Sequence, residues 1–480
     1  MGVRIARIAF LVTTLGAHAV AQFETRTTFF LGLNGTKSFV VGDFNRDGTP
    51  DFATLNDYPE GSVQIWLGNG DGTFRMGSNY ATKVGFYGVT ASLRNNGILD
   101  LVFGGAGTDD VYVMLGNGDG TFQPPASYPT TAASFMIAIG DFTGDGILDV
   151  ADLESTSSGG IVCNCIEVLP GNGDGTFGTA VSTIPVPYNI DGLTLAAGDF
   201  NNDGKLDVVV GGGVGDTDQL DVLLGNGNGT FTPNGFYILG ALPTTIATGY
   251  FTSDKRKLDL ALTNATVIDV LLGNGDGTFQ DPVLYPTHSP SWLIAQDLYD
   301  DGVTDLAVTN GSLPDLPPPG VSVFKGNGDG SFQKGVFYRA GTGDGGQYVA
   351  AGDFNGDRKP DLLVLEPDIG YMITLLNTGT VSFSPTTPLT FASQAVGTTS
   401  GPQSVTLTNM GSAELKIQSM EASNEFEMKS TCGTRVAAGA KCKISATFSP
   451  TKKGVKTGAI TVIDSASSKP QVIELLGTGT

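Results

Sequence analysis

The sequence is poor in the residues that build most enzyme centres. Among 480 residues there are two histidines, four cysteines and two tryptophans, and charged residues make up only 15% of the chain. Because His18 lies in an apolar N-terminal leader, His288 alone remains for a zinc site or a Ser-His-Asp triad. The sequence also contains no phosphate-binding P-loop and no dinucleotide fingerprint. We therefore assign no catalytic residue.

Long apolar runs are missing beyond the N-terminus. The opening MGVRIARIAFLVTTLGAHAVAQ places Arg4 and Arg7 before an apolar run, which ends in small residues at Ala19 to Ala21. This order is typical of a secretory signal, and its run of about ten apolar residues is too short to span a bilayer. We expect residues 1–21 to be a signal peptide. The mature chain is then secreted, periplasmic or held at the cell surface, without a transmembrane segment.

Basic residues are scarce as well. Lys and Arg number 26 against 48 Asp and Glu, which gives a formal charge of −22. This balance argues against nucleic acid or an anionic membrane as a partner. Glycine, in contrast, is abundant at 69 residues, and amphipathic helical patterns are lacking, so the sequence favours an all-β protein with many tight turns.

Two motifs alternate along the chain at intervals of about fifty residues. The first is an Asp-rich loop such as GDFNNDGKLDV, and the second is a Gly-rich turn such as LGNGDGTF. Seven copies of each imply seven repeats. The loop copies are 42–52, 91–101, 140–150, 198–208, 249–260, 296–306 and 352–362; the turn copies are 67–74, 115–122, 170–177, 224–231, 272–279, 325–332 and 376–383.

Each repeat predicts four strands, with the two motifs at the hairpins after the first and third strands. Such a unit cannot cover both of its faces alone, whereas radial repetition buries them. We therefore predict a seven-bladed β-propeller over residues 22–383, with residues 23–32 closing the ring as the outer strand of the last blade. Alternating apolar runs over 384–480 predict an immunoglobulin-like β-sandwich.

The Asp-rich loop has the pattern of a metal site. Numbered from Asp199 as position one, the fourth copy has Asn201 at position three, Asp203 at five, Gly204 at six and Asp207 at nine. Oxygen side chains at alternate positions before a glycine suit Ca²⁺, with the position-seven carbonyl as a further ligand. A polar turn explains positions one to six, but it does not explain an Asp opening an apolar strand. Clustered carboxylates would repel without a cation among them.

We therefore predict several Ca²⁺ ions, about three to five, in five of the loops. Position three is Thr143 in the third loop and Tyr299 in the sixth, and Arg358 replaces Gly at position six of the seventh, which weakens those sites. The second and fifth loops, which begin at Ser92 and Tyr250, are expected to hold no cation. The predicted ligands are Asp43, Asn45, Asp47, Thr49, Asp51, Asp141, Thr143, Asp145, Ile147, Asp149, Asp199, Asn201, Asp203, Lys205, Asp207, Asp297, Asp301, Val303, Asp305, Asp353, Asn355, Asp357, Lys359 and Asp361.

The Gly-rich turn lacks the later acid of the Asp-rich loop. We interpret it as hairpin chemistry whose phenylalanine packs between blades. The residues concerned are Phe74, Phe122, Phe177, Phe231, Phe279 and Phe332.

The four cysteines form two sequence pairs. Cys432 and Cys442 follow strand-like runs, and export makes a disulfide between them a candidate. Cys163 and Cys165 are so close in sequence that a bond between them would be strained, and free or separately placed thiols are an equal alternative.

Both regions resemble known families. The loops and GNGDGTF turns over about residues 29–383 resemble the FG-GAP repeats of integrin α-subunit propellers, called VCBS repeats in bacteria. In that family the nine-residue loops bind Ca²⁺ and the propellers usually mediate recognition. The stretches LTFASQAVGTTSGPQSVTLTNMGSAELKI and TCGTRVAAGAKCKISATFSPTKKG resemble the immunoglobulin-like ASPM/SPD-2/Hydin class, also seen in bacterial choice-of-anchor D proteins. That resemblance implies a spacer or interaction module, with Cys432 and Cys442 in the usual paired positions.

The leading interpretation is a monomeric, exported, calcium-binding protein that recognises or adheres to an extracellular glycan or protein. The loops on the rim opposite the Asp-rich loops are irregular and read as recognition loops. Their aromatics Tyr58, Tyr188, Tyr285 and Trp292 suit sugar or peptide contact, or simply shield the rim. Two alternatives stay open: a secreted lyase or glycosidase that uses carboxylates on this rim, and a purely structural surface protein.

Overall fold

The structure, a computed structural model, consists of β-strands, turns and loops in the residues that it describes. These are residues 23–480 without 32–34, 58–60, 84–86, 106–107, 155–164, 187–193, 215–216, 312–318, 342–347, 368–369, 378–380, 385–387, 410–413, 424, 438 and 466–469. The predicted signal peptide and several of the irregular rim loops lie outside them. In the described part of the chain no helix has the length and apolarity needed to cross a membrane.

Seven four-stranded antiparallel sheets follow one another along the chain as blades. Strand β1 (Phe23–Phe30) comes first and belongs to the last blade. Blades 1 to 3 comprise β2 (Thr36–Gly42), β3 (Asp51–Asn56), β4 (Ser62–Gly68), β5 (Phe74–Ala81); β6 (Gly88–Ala91), β7 (Asp100–Gly104), β8 (Asp110–Met114), β9 (Ala126–Pro129); and β10 (Ser134–Gly140), β11 (Asp149–Glu154), β12 (Cys165–Leu169), β13 (Ser182–Pro185).

Blades 4 to 7 repeat the pattern. They comprise β14 (Thr194–Gly198), β15 (Asp207–Val214), β16 (Thr217–Gly225), β17 (Phe231–Leu239); β18 (Thr245–Gly249), β19 (Asp259–Thr263), β20 (Val267–Leu271), β21 (Val283–Pro286); β22 (Pro290–Gln296), β23 (Asp305–Asn310), β24 (Gly320–Phe324), β25 (Val336–Arg339); and β26 (Tyr348–Gly352), β27 (Asp361–Glu366), β28 (Tyr371–Asn377) with β1 outermost.

The blades close into a ring. The first strand of each blade contacts the first strand of the next, in the order β2, β6, β10, β14, β18, β22, β26 and back to β2. The second strands are buried along their whole length, as in β3 and β27, because neighbouring blades cover both faces. The predicted seven-bladed propeller is confirmed, and β1 closes it beside β28 as the sequence indicated.

Neighbouring blades are joined through the two sequence motifs. The ring of Phe44, from the first Asp-rich loop, meets Phe122, from the Gly-rich turn of the next blade, edge to face with 5.3 Å between centroids. The Gly120 N–H of that turn donates to the Phe44 carbonyl at 3.0 Å. Equivalent ring pairs are Phe354–Phe74, Phe142–Phe231, Phe200–Phe279 and Phe251–Phe332, while Phe177 meets Tyr128. The predicted packing of these phenylalanines between blades is therefore confirmed.

The C-terminal region is a β-sandwich of two sheets. One sheet contains β29 (Val381–Ser384), β31 (Gln403–Asn409), β35 (Lys441–Phe448) and β33 (Phe426–Ser430); the other contains β30 (Leu389–Thr390), β37 (Gln471–Gly479), β36 (Gly454–Asp464), β32 (Leu415–Ala422) and β34 (Arg435–Val436). Because β29 pairs with β31, residues 381–383 lie in the sandwich and not in a seventh Gly-rich turn, so the sandwich begins before residue 384.

The disulfide between Cys432 and Cys442 is present and lies against the sandwich core. Cys165 is also disulfide-bonded, and no described cysteine is free. Cys163 lies outside the described residues.

Candidate functional site

The position-nine aspartates are structural in every Asp-rich loop. All seven carboxylates are fully buried: Asp51, Asp100, Asp149, Asp207, Asp259, Asp305 and Asp361. Asp51 accepts the Phe44 N–H at 2.9 Å within its own loop and the Gly68 N–H at 2.8 Å from the Gly-rich turn. The same pair of bonds recurs at Asp100, Asp149, Asp207 and Asp259, with the turn bond at Asp305 and the loop bond at Asp361.

This finding corrects one step of the sequence argument. The recurrence of an Asp at the start of an apolar strand needs no cation, because buried backbone N–H groups require an acceptor and this carboxylate ties two hairpins together. Burial raises the pKa of Asp51 to about 6, and the charge of Asp47 adds to this rise. The metal hypothesis therefore rests on positions one, three and five.

Positions one, three and five come together in the first, fourth and seventh loops. The Asp47 N–H donates to Asp43 Oδ1 at 3.1 Å and to Asn45 Oδ1 at 2.9 Å, so these two oxygens lie on the same side of the loop. The Asp47 carboxylate in turn accepts the Thr49 N–H at 2.8 Å. The same bonds recur at Asp199, Asn201, Asp203 and Lys205, and at Asp353, Asn355, Asp357 and Lys359.

The third and sixth loops assemble fewer oxygens. Asp141 accepts three loop N–H groups, those of residues 144, 145 and 146, and Asp145 accepts the N–H of Ile147. The N–H of Thr143 bonds to Asp149 at 2.9 Å. In the sixth loop Asp297 accepts the N–H groups of Asp301 and Gly302. These loops keep the backbone turn without an Asn side chain at position three.

The second loop contains a positively charged side chain of its own. Arg94 stands at position three, and its Nη2 lies 2.5 Å from Asp100 Oδ1 and donates to the Gly116 carbonyl at 2.7 Å. In the fifth loop Lys255 Nζ donates to the Tyr250 carbonyl at 3.3 Å. Of these two loops, the second places its basic side chain against its position-nine carboxylate, that of Asp100.

The side-chain oxygens of the first, fourth and seventh loops suit a hard cation as ligands. No three Asp, Glu, His or Cys side chains of the described residues form a metal cluster on their own. Each of these loops instead offers two carboxylates and an amide oxygen, a set that suits Ca²⁺ when backbone carbonyls and water complete the shell.

A cavity of about 180 Å³ lies on the propeller axis, at the end away from the Asp-rich loops. Its lining includes one residue from each blade at the same register, five residues before position one of the Asp-rich loop. We call these residues the axial ring: Ser38, Tyr87, Met136, Thr194, Thr245, Trp292 and Tyr348. None of the described lining residues carries a charge.

The axial ring has two unlike halves. Tyr87 stacks on Trp292 at 5.4 Å between centroids, and Trp292 meets Tyr348 at 5.1 Å, which gives an aromatic half from blades 2, 6 and 7. Small or flexible side chains from blades 3 to 5 form the other half. Only Trp292 of this ring was a sequence candidate, although aligning the seven repeats at the Asp-rich loop would have identified the other members.

Family models match parts of the propeller and the C-terminal sandwich. The FG-GAP-like repeat matches residues 93–151, 153–210 and 297–364, and the ASPM-SPD-2-Hydin (ASH) model matches residues 379–472. The chain carries an FG-GAP-like repeat propeller followed by an ASH domain. No curated protein matches it.

Several solved structures are similar to parts of this chain at low sequence identity. BBS1N in its complex with ARL6DN, soaked with lead, is 13% identical with a TM-score of 0.50 over 74% of this chain and 97% of that one. The V. cholerae biofilm matrix protein Bap1 is 10% identical with a TM-score of 0.39 over 74% and 91% of the two chains. PapD-like domain 7 of human CEP192, an ASH/PapD-like domain, is 15% identical with a TM-score of 0.18 over 21% and 86%.

Of the other aromatic candidates, Tyr285 does not line this cavity. The Tyr285 hydroxyl accepts the Phe332 N–H at 3.0 Å, and its ring packs between blades. Tyr58 and Tyr188 lie outside the described residues. His288 packs beside Phe337 at 5.4 Å between ring centroids, and burial lowers the pKa of its imidazole.

Blade 3 of the FG-GAP propeller buries three acids that the sequence analysis missed. Asp152 pairs with Glu167 across β11 and β12, and Glu154 follows on the same face. All three are at most 2% exposed. Asp152 accepts the Ser134 hydroxyl at 2.6 Å, whereas one oxygen each of Asp152 and Glu154 has no hydrogen-bond partner among the described residues. Burial and mutual repulsion raise the pKa of Asp152 to about 7 and that of Glu154 to about 10.

Proposed function

We propose that this chain is an exported binding module whose propeller is stabilised by Ca²⁺ and recognises an extracellular glycan or protein. The proposal of Ca²⁺ binding is supported by the contrast between the Asp-rich loops. In the first and fourth loops, where Asp, Asn and Asp oxygens gather, the buried position-nine carboxylates Asp51 and Asp207 accept backbone N–H groups. The Lys205 ammonium of the fourth loop lies 3.8 Å from the exposed Asp203 instead. Where those oxygens are lost, Arg94 supplies a positive charge.

The ligands proposed for the cation are positions one, three and five of the first, fourth and seventh loops, with the position-seven carbonyl. A bound dication would offset the repulsion between the half-buried carboxylate at position one and the exposed carboxylate at position five. It would also hold the loop against the Gly-rich turn of the next blade. The third and sixth loops are weaker candidates. We propose that the ions stiffen the ring and do not touch the ligand, since the axial cavity lies at the other end of the innermost strands.

The burial of three neighbouring carboxylates also bears on the choice between recognition and catalysis. The acids that lie together at the irregular end, Asp152, Glu154 and Glu167, are buried and do not face a polysaccharide. A pair of accessible carboxylates is what glycoside hydrolysis requires. These three acids are therefore not the accessible pair that the enzymatic alternative needs.

Calcium is expected to raise the melting temperature of the full chain relative to EDTA. At 100 times the dissociation constant each site adds about 2.7 kcal/mol to the free energy of unfolding. Differential scanning calorimetry in calcium, magnesium and EDTA measures this directly. Identical melting curves in all three would contradict calcium stabilisation.

The second loop provides a matched control variant. Ser92→Asp, Arg94→Asn and Asn96→Asp together restore the acidic pattern there. Calorimetric titration of this triple variant should then show one more calcium-binding event than the native chain. A variant with Arg94→Lys alone should show the same number of events as the native chain. An unchanged number of events in the triple variant would mean that the loop pattern does not create the site.

A further inference from the structure

We propose that the axial cavity binds one neutral sugar ring, either a free monosaccharide or the terminal residue of a glycan. This proposal rests on the proposed function and names its ligand class. The cavity is smaller than the roughly 300–1,000 Å³ of drug-sized pockets, so its occupant is a single ring.

The two halves of the axial ring match the two kinds of surface on a sugar ring. Tyr87, Trp292 and Tyr348 present half-buried aromatic surface, which covers the apolar face of a ring. Opposite them, Thr194, Thr245 and Met136 line the cavity. The Thr194 hydroxyl contacts Met136 Sδ at 3.7 Å, and the Thr245 hydroxyl bonds to the Thr263 hydroxyl at 2.8 Å. Each of the two lining hydroxyls keeps a lone pair that can accept from a ligand hydroxyl. A sugar ring has the same division, with C–H groups on its faces and hydroxyls at its edge.

Within the described part of the chain, Ser38 contributes an unpartnered hydroxyl to the axial ring. Ser38 stands in blade 1 between the aromatic side chains of blades 7 and 2, and it is 4% exposed. Its Oγ has no hydrogen-bond partner among the described residues. A buried hydroxyl left without a partner costs about 1–3 kcal/mol, so a ligand hydroxyl that bonds to Ser38 removes a penalty already present in the free protein.

The uncharged character of the described lining favours a neutral ligand. No Asp, Glu, Lys, Arg or His is among the described lining residues. A uronic or sialic acid would therefore bury its carboxylate without a counter-ion, which is unfavourable. A plain aromatic ring would fill the space but leave the Ser38 hydroxyl unsatisfied. A neutral sugar meets both requirements.

The test uses the fluorescence of Trp292. The chain has two tryptophans, and Trp66 does not line the cavity. Trp66→Phe leaves Trp292 as the single reporter and is the matched control. The full chain in calcium is titrated with the methyl glycosides of glucose, galactose, mannose and N-acetylglucosamine, with methyl glucuronide carrying a free carboxylate, and with benzyl alcohol.

At least one neutral glycoside is expected to change Trp292 emission saturably, and methyl glucuronide to bind at least tenfold more weakly. Ser38→Ala should weaken the neutral glycoside about five- to tenfold. Trp292→Leu, measured by isothermal titration calorimetry because it removes the reporter, should abolish binding while circular dichroism shows that the chain is still folded. A trisaccharide ending in the same sugar separates the two sources: tighter binding than the monosaccharide indicates a glycan end, and equal or weaker binding a free sugar.

The proposal is overturned if no neutral glycoside binds a folded chain, or if benzyl alcohol binds as tightly as the best sugar and Ser38→Ala has no effect. The melting temperature in calcium and EDTA, measured on the same sample, keeps this outcome apart from failure of the proposed function. A calcium shift without sugar binding removes only the sugar proposal. Sugar binding without a calcium shift removes only calcium stabilisation.

Discussion

Replacing Asp100 with alanine is expected to destabilise the propeller by about 3 kcal/mol or more, equally in calcium and in EDTA. The Asp100 carboxylate is fully buried, accepts the Leu93 N–H at 3.1 Å and the Gly116 N–H at 2.9 Å, and pairs with Arg94. Its loss leaves a guanidinium and two backbone donors without their acceptor. Denaturation of the full chain by urea measures the change.

A double-mutant cycle isolates the ion pair within this effect. Arg94→Leu alone leaves a buried carboxylate uncompensated, whereas Arg94→Leu with Asp100→Asn removes both charges and keeps an acceptor for one backbone N–H. The two changes are expected to couple by about 1 kcal/mol or more. Additive effects, or an Asp100→Ala effect that appears only in calcium, would contradict the role given to this loop.

Asp152→Asn with Glu154→Gln is expected to stabilise the chain above neutral pH and to flatten its pH profile. The folded-state pKa of each acid is raised above its unfolded value, so the native chain keeps full stability at low pH and loses it as pH rises. Between about pH 5 and pH 7 both groups lose stability together, at most about 2.7 kcal/mol per pH unit. Above pH 7 the loss from Glu154 continues towards pH 10.

Melting temperatures of the native chain and the double variant from pH 5 to pH 9 test this expectation. Asp109→Asn, which removes an exposed carboxylate in blade 2, is the control and should leave the native profile unchanged. A native melting temperature that rises from pH 5 to pH 8 while that of the double variant does not would show that these acids are stabilised as anions.

The fold was predictable because every repeat carries recognisable turn residues, mainly glycine, asparagine and aspartate. Gly-rich and Asp-rich hairpins such as those at 67–74 and 198–208 recur in register, and radial packing is how such units bury both faces. The outer position of β1 followed from its likeness to the end of a repeat. The sandwich boundary was missed because LNTGTVSF resembles a Gly-rich turn, whereas its last residues pair in a different sheet.

Sites that depend on cross-strand partners were not predictable in the same way. The role of Asp51 and its equivalents as backbone acceptors appears only when the Gly-rich turn is placed beside the loop. In sequence, Asp152 lies two residues before Glu154 and Glu167 lies thirteen residues after it. Only the register of β11 and β12 places Asp152 opposite Glu167. The axial ring, in contrast, is encoded at one fixed distance before each loop and can be found by aligning the repeats.

Anomalous diffraction from crystals soaked in calcium tests the central claim most directly. We predict peaks among positions one, three and five in the loops that begin at Asp43, Asp199 and Asp353, and no peak in the loop that contains Arg94. No peak at these three loops, or a peak beside Arg94, would contradict the claim that cations occupy only the loops with gathered oxygens.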